Sequence, residues 1–176
     1  SKAIPLSQGL INQTFVVHAK QGDYILQHIN TQVFKDPFAI DHNIKSIGQY
    51  LSRNKPDTLF THLVPTLMGE TLIAWEGKFY RAFNKIEGVA LDVLDNANQA
   101  EAAANQFGQF TANLSDFPIK QLKPTIPQFH DLALRYFQFE QALINGNANR
   151  ITEANEAIQY LKSKRSYVDQ WLKFTA

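Results

Sequence analysis

Few residues in this chain have chemistry to offer, and they are spread out. A glycine-led turn, Gly9-Leu10-Ile11-Asn12, precedes a strand-like run. Glycine admits close backbone approach, and a short turn with free N–H groups can cradle a phosphate. The same turn can simply connect two strands, and Gly9 alone does not decide between these. None of the five histidines, His18, His28, His42, His62 and His130, has an aspartate two residues on. The His-x-Asp-x-x-x-x-Asn loop of phosphoryl transfer is therefore not found in the chain. His130 and Asp131 are adjacent, which is the wrong spacing. Asp116-Phe117-Pro118 sits in a proline-rich loop and reads as a coincidental likeness to a metal-binding Asp-Phe-Gly. His-Glu-x-x-His, Gly-x-Ser-x-Gly and Gly-x4-Gly-Lys-Ser/Thr are not found either. No catalytic residue and no metal ligand is assigned.

The elements that must position such residues change character along the chain. Gln13–His18 and Asp23–Ile29 have strand composition around a Lys20–Asp23 turn, which predicts an antiparallel pair. Asp36 as N-cap and Pro37 at the first helical position predict a helix. Ile40, Ile44, Ile47 and Leu51 form its apolar stripe. Leu63–Met68 is expected to be extended and at an edge, because of Pro65. Thr71–Trp75 and Lys78–Phe83 flank Glu76-Gly77, a tight hairpin.

From about residue 95 only helices are expected. The first is capped by Asp95, the second spans Phe129–Leu143 and ends at Asn145-Gly146-Asn147, and the last starts at Thr152. Strands and helices are segregated, so the class is α+β: five antiparallel strands with one covering helix, then a helical segment.

Composition narrows the function classes. Of 176 residues, 17 are basic and 16 acidic, for a net charge of +1. That balance offers no electrostatic footprint for nucleic acid or an anionic membrane. With no cysteine, disulfides, thiolate metal sites and cysteine nucleophiles are excluded. Neither a secretory signal nor an apolar run of membrane-spanning length is visible, and the cytoplasm is the expected location.

Four words in the chain resemble one superfamily, collinearly from about residue 9 to 170. Gly9–Phe15 resembles the phosphate loop of the aminoglycoside phosphotransferase and choline kinase-like superfamily. Tyr24–Asn30 followed by Val33–Pro37 is similar to its N-acetylhexosamine 1-kinase branch. Lys78–Gly88 resembles the strand and linker between the lobes, and Ile126–Asp131 a segment of the substrate lobe. The resemblance implies a protein-kinase-like N-lobe over residues 1–88. Over 89–176 it implies the first helices of a substrate lobe, truncated before the catalytic loop.

It also implies site residues. Gly9 and Asn12 would shape the phosphate turn, Ile25 would line the adenine pocket, and Asn84, Lys85 and Ile86 would present backbone groups to the base. Gln27 stands where such enzymes place a phosphate-pairing lysine. His42, with Asn43 beside it, is the best match for that lysine's glutamate partner. Arg81 reads as a sheet brace. Glu87 and Asp92 read as a solvated rim, or as contacts to a ribose or substrate hydroxyl.

The implied cofactors are ATP and Mg²⁺, the metal's ligands lying in the part that follows. The implied activity is phosphate transfer to a sugar or amino-sugar hydroxyl, with the isolated segment inactive. The alternatives are a choline- or aminoglycoside-type phosphotransferase, and a non-catalytic kinase-like interaction module. Self-association through a truncated surface is a further expectation.

Overall fold

The computed structural model describes residues 2–6 and 9–175. The chain divides into two compact units, Ser1–Ile126 and Pro127–Ala176.

The first unit is built on an antiparallel sheet in the order β1-β2-β3-β5-β4, with β1 Lys2–Leu6, β2 Gln13–Ala19, β3 Gly22–Ile29, β4 Leu72–Trp75 and β5 Lys78–Asn84. The β2–β3 hairpin closes with Ala19 opposite Gly22, where the glycine takes φ 138°. The β4–β5 hairpin turns through Glu76 (φ 49°) and Gly77 (φ 72°). Two successive positive φ values match the right-handed twist of the flanking strands, and only the glycine adopts one without strain.

The strand count agrees with expectation, but one strand does not. The fifth strand is Lys2–Leu6, paired with β2 from Lys2 opposite His18 to Leu6 opposite Thr14. Its position at the sheet edge accommodates Pro5, which has no N–H to donate. The expected strand at 63–68 shrinks to a single bridge between Leu63 and Phe83, with Val64 N–H donating to the Ala82 carbonyl at 2.8 Å. Beyond Pro65 the chain curls into a turn, Thr66 N–H donating to Glu70 and Gly69 N–H to Thr66.

Helix α1, Pro37–Asn54, covers the face of the sheet that carries Phe79; Phe38 meets the Phe79 ring edge-on at 5.6 Å. Its start is as the sequence predicts: Asp36 accepts from Ala39 N–H at 3.0 Å, and Pro37 sits in the first turn. Its buried line differs. Pro37, Ala39, Asp41, Gly48 and Leu51 are buried, whereas Ile40, Ile44 and Ile47 are half-buried. Gly48 lets the chain come close: a Cβ there would lie 3.0 Å from His62 Nδ1, and the His62 ring would have to give. With Ile29, Ala39 and Leu51 at most 1% exposed, the core of this unit lies between β3 and α1.

Helix α2, Ala97–Asn113, completes the first unit. Its N-cap is Asn96, not Asp95. Asn96 Oδ1 accepts from Gln99 N–H at 3.0 Å while Gln99 Oε1 reaches back to Asp95 N–H at 2.7 Å. This reciprocal arrangement is close to a capping box, and Gln99 is what selects between the two candidate caps.

The second unit is helical: α3 Leu132–Asn145, α4 Ala148–Glu153, α5 Asn155–Ser163 and α6 Arg165–Thr175. Helix α3 starts three residues later than expected, because Asp131 accepts from Leu134 N–H and caps it. The single last helix expected from Thr152 is three pieces, broken at Ala154 and Lys164. Ile158 and Val168 form the buried core here. Arg165 stacks over Tyr136 at 4.7 Å and pairs with Glu140 and Asp169. Among the described residues no helix is long and apolar enough to cross a membrane.

Candidate functional site

The α1-facing side of the sheet follows from the period of two in β-structure. Ile25 and Gln27 on β3 lie opposite Phe83 and Arg81 on β5, and opposite Val16 and Thr14 on β2. One end of this surface opens into a cavity of about 700 Å³ in the first unit. Its apolar wall includes Leu6, Val16, Ile25 and Phe83. Gln27 adds a polar group, and the chain leaving β5, from Asn84 to Ala90, forms another side. A concave, largely apolar space with few polar groups is the usual form of a small-molecule site.

Five of the seven residues singled out in the sequence, Ile25, Gln27, Asn84, Lys85 and Ile86, line this cavity. The other two, Gly9 and Asn12, line an adjoining hollow of about 410 Å³ that shares Leu6 with the first. Asn12 Oδ1 accepts from Asn30 N–H at 3.0 Å, fixing the turn against the end of β3. A Cβ on Gly9 would lie 3.0 Å from the Asn12 carbonyl oxygen and 3.4 Å from Thr14 Oγ1. The glycine is thus held close to the hydroxyl that accepts from Gln27 Nε2 at 3.3 Å.

Arg81 is the residue whose importance the sequence understated. Its Nε and Nη2 both donate to Gln27 Oε1, at 3.1 and 2.9 Å, and its guanidinium lies 5.0 Å from the centre of the Phe83 ring. Nη1 is buried and has no hydrogen-bond partner among the described residues. Burial pulls the guanidinium below the ordinary arginine range, and the charge of Asp41 offsets part of that pull.

Asp41 was missed altogether. It is buried on α1, accepts from Thr71 Oγ1 at 2.5 Å and pairs with Lys45 at 2.9 Å. The acid that α1 turns toward the sheet is therefore Asp41. His42 and Asn43 look elsewhere. His42 Nε2 bonds the Gln121 carbonyl at 2.8 Å, and Asn43 exchanges two bonds of 2.8 Å with the backbone of Lys123. Both residues clamp the 121–123 segment.

The remaining expectations resolve locally. His28 sits on the opposite face from Gln27, bonded to Gln13 at 3.0 Å and with its ring tilted against Tyr80 at 5.3 Å. Lys85 and the exposed Glu87 form a 3.2 Å pair at the cavity rim. Among the described residues no group of three or more His, Asp or Glu side chains is arranged to hold a metal ion.

A five-stranded antiparallel sheet covered by one helix, followed by helices, is the layout of a kinase-like N-lobe leading into a helical segment. The model of the APH phosphotransferase enzyme family matches residues 2–172, and the chain belongs to that family.

Proposed function

We propose that this chain carries the nucleotide site of an ATP-dependent small-molecule kinase. The observation that carries the reading is the cavity itself. Five residues expected from the sequence to hold a nucleotide border one apolar space, and the Gly9–Asn12 turn borders the hollow beside it. In this reading residues 1–88 hold the nucleotide and 89–176 begin the acceptor lobe.

An adenine ring would lie between Val16, Ile25 and Phe83, where burial of apolar area favours it at roughly 25 cal/mol per Å². Lys85 N–H is already donated to the Asp23 carbonyl at 3.0 Å. Recognition of the base edge therefore falls to the backbone groups of Asn84 and Ile86. The phosphates would extend past Gln27 toward the Gly9 turn, whose close backbone suits an anion. Phosphoryl transfer depends mainly on positioning and on stabilising charge. Mg²⁺, where bound, neutralises the charge developing on the phosphates; within these residues the protein binds and orients the nucleotide.

The acceptor we propose is a sugar or amino-sugar hydroxyl, on the likeness of Tyr24–Pro37 to the N-acetylhexosamine 1-kinase branch. The acids of the helical unit, Asp131, Glu140, Glu153, Glu156 and Asp169, are dispersed along the sequence rather than clustered as a cationic acceptor would need. The test is MgATP-dependent ADP release by the longest native reading frame containing this segment, run against N-acetylhexosamines, other sugars, choline and an aminoglycoside. Turnover with one sugar alone is the expected result. Turnover only with choline or the aminoglycoside would replace the acceptor, and no turnover without nucleotide binding would overturn the reading.

A further inference from the structure

Gln27 occupies a position from which a lysine would reach the phosphates, yet it carries no charge. The nearest strong cation on the same face is Arg81, its register partner on β5. We propose that Gln27 and Arg81 act together as the phosphate anchor of the nucleotide site: Arg81 is a positioning residue that fixes the Gln27 amide and supplies the positive charge behind it, while Gln27 Nε2 donates to the nucleotide phosphates. The inference rests on the nucleotide reading above and adds to it the device that replaces the missing lysine.

The hydrogen bonds decide which end of the amide is which. Arg81 has only donors to offer, and two of them converge on Gln27 Oε1. A flipped amide would set N–H against N–H. The carbonyl end is therefore locked onto the guanidinium and the NH₂ end is turned away from it. One of its two N–H groups is directed at Thr14 Oγ1, in the strand that follows the glycine turn. The other remains for a ligand in the cavity that Gln27 lines. A lysine in this place would face Arg81 with donors against donors and like charges together, which accounts for a neutral acceptor at residue 27.

The charge of Arg81 is incompletely answered. Among the described residues no carboxylate lies within ion-pair reach of it. Asp41 acts on it at longer range and is itself bonded by Lys45 and Thr71. A half-buried cation with one buried, unpartnered nitrogen among the described residues is costly on its own. A multiply charged anion placed against Gln27 would relieve that cost without touching the guanidinium.

Calorimetric titrations with adenosine and with MgADP separate the anchor from the pocket. Arg81→Met should weaken MgADP by about tenfold or more while leaving adenosine within about twofold. The double variant Gln27→Lys with Arg81→Met should regain most of the MgADP affinity, because the charge returns with no guanidinium to oppose it. Equal weakening of adenosine and MgADP, or unchanged MgADP affinity, would overturn the proposal. A second measurement needs no change at Arg81: the Gln27 side-chain NH₂ resonance, assigned by its loss in Gln27→Glu, should shift on adding MgADP and not on adding adenosine. MgADP binding that leaves this resonance in place overturns the anchor and spares the nucleotide site. If the protein binds neither ligand, the nucleotide reading fails and the anchor with it.

Discussion

Thr71 Oγ1 donates to Asp41 Oδ1 at 2.5 Å, joining α1 to the start of β4, and both residues are only 9% exposed. The bond gives the covering helix a fixed rotation over the sheet, because Asp41 must face Thr71. It also holds a negative charge near enough to Arg81 to be felt there. Asp41→Ala leaves the Thr71 hydroxyl buried without its acceptor, which costs roughly 1–3 kcal/mol. Asp41→Asn keeps an acceptor and should cost less. Urea unfolding monitored by circular dichroism measures both, and equal stability of the wild type and Asp41→Ala would contradict the assignment.

Leu51 is 1% exposed, on the buried line of α1. Leu51→Ala should lower stability by about 2–5 kcal/mol, the range for buried leucines that leave a cavity behind. The loss should appear as a lower midpoint at an unchanged slope in denaturant. A loss below about 1 kcal/mol would mean that the helix does not pack as described.

Gly9→Ala probes the glycine turn. The added methyl would need the Asn12 carbonyl to give by a few tenths of an ångström, which disturbs the turn beside Thr14, the acceptor of Gln27. The expected outcome is a fall in MgADP affinity of about tenfold, near 1.4 kcal/mol, with adenosine affinity retained. Calorimetry reads both, and an unchanged MgADP affinity would show that the turn does not meet the phosphates.

Ile25→Phe should act oppositely. A larger ring in the wall of the cavity takes up space proposed for the base, so adenosine and MgADP should weaken together, again by about tenfold or more. Weakening of MgADP alone would move the base out of this cavity.

Much of this arrangement is legible in the sequence, for identifiable reasons. Asp36-Pro37 and Glu76-Gly77 are local signals whose geometry depends on adjacent residues, and both elements form where expected. Collinear words rather than periodicity mark the cavity residues, and five of them border one space.

The misses also have physical causes. Lys2–Leu6 is a strand because β2 offers it an edge, a fact of pairing that no local pattern contains. Leu63–Met68 has strand composition, yet Pro65 and the Gly69 turn (φ 86°) take it off the sheet after one bridge. The breaks at Ala154 and Lys164 carry neither glycine nor proline, so nothing in the sequence marks them.

Asp41 goes unmarked because hydropathy reads a charged residue on a helix as solvent-facing, and Arg81 reads as a sheet brace with no local sign that its partner is Gln27. The available clue was spacing. Asp41 lies seven residues before Gly48 and ten before Leu51, on the line that is buried. Arg81 lies two residues before Phe83, on the cavity face.

The most direct test of the nucleotide reading is amide hydrogen exchange of the protein with and without MgATP. Slowed exchange is expected in two separated stretches, Gly9–Thr14 and Asn84–Gly88, with little change in the helices after Pro127. MgATP binding that protects neither stretch, or no binding at all, would contradict it.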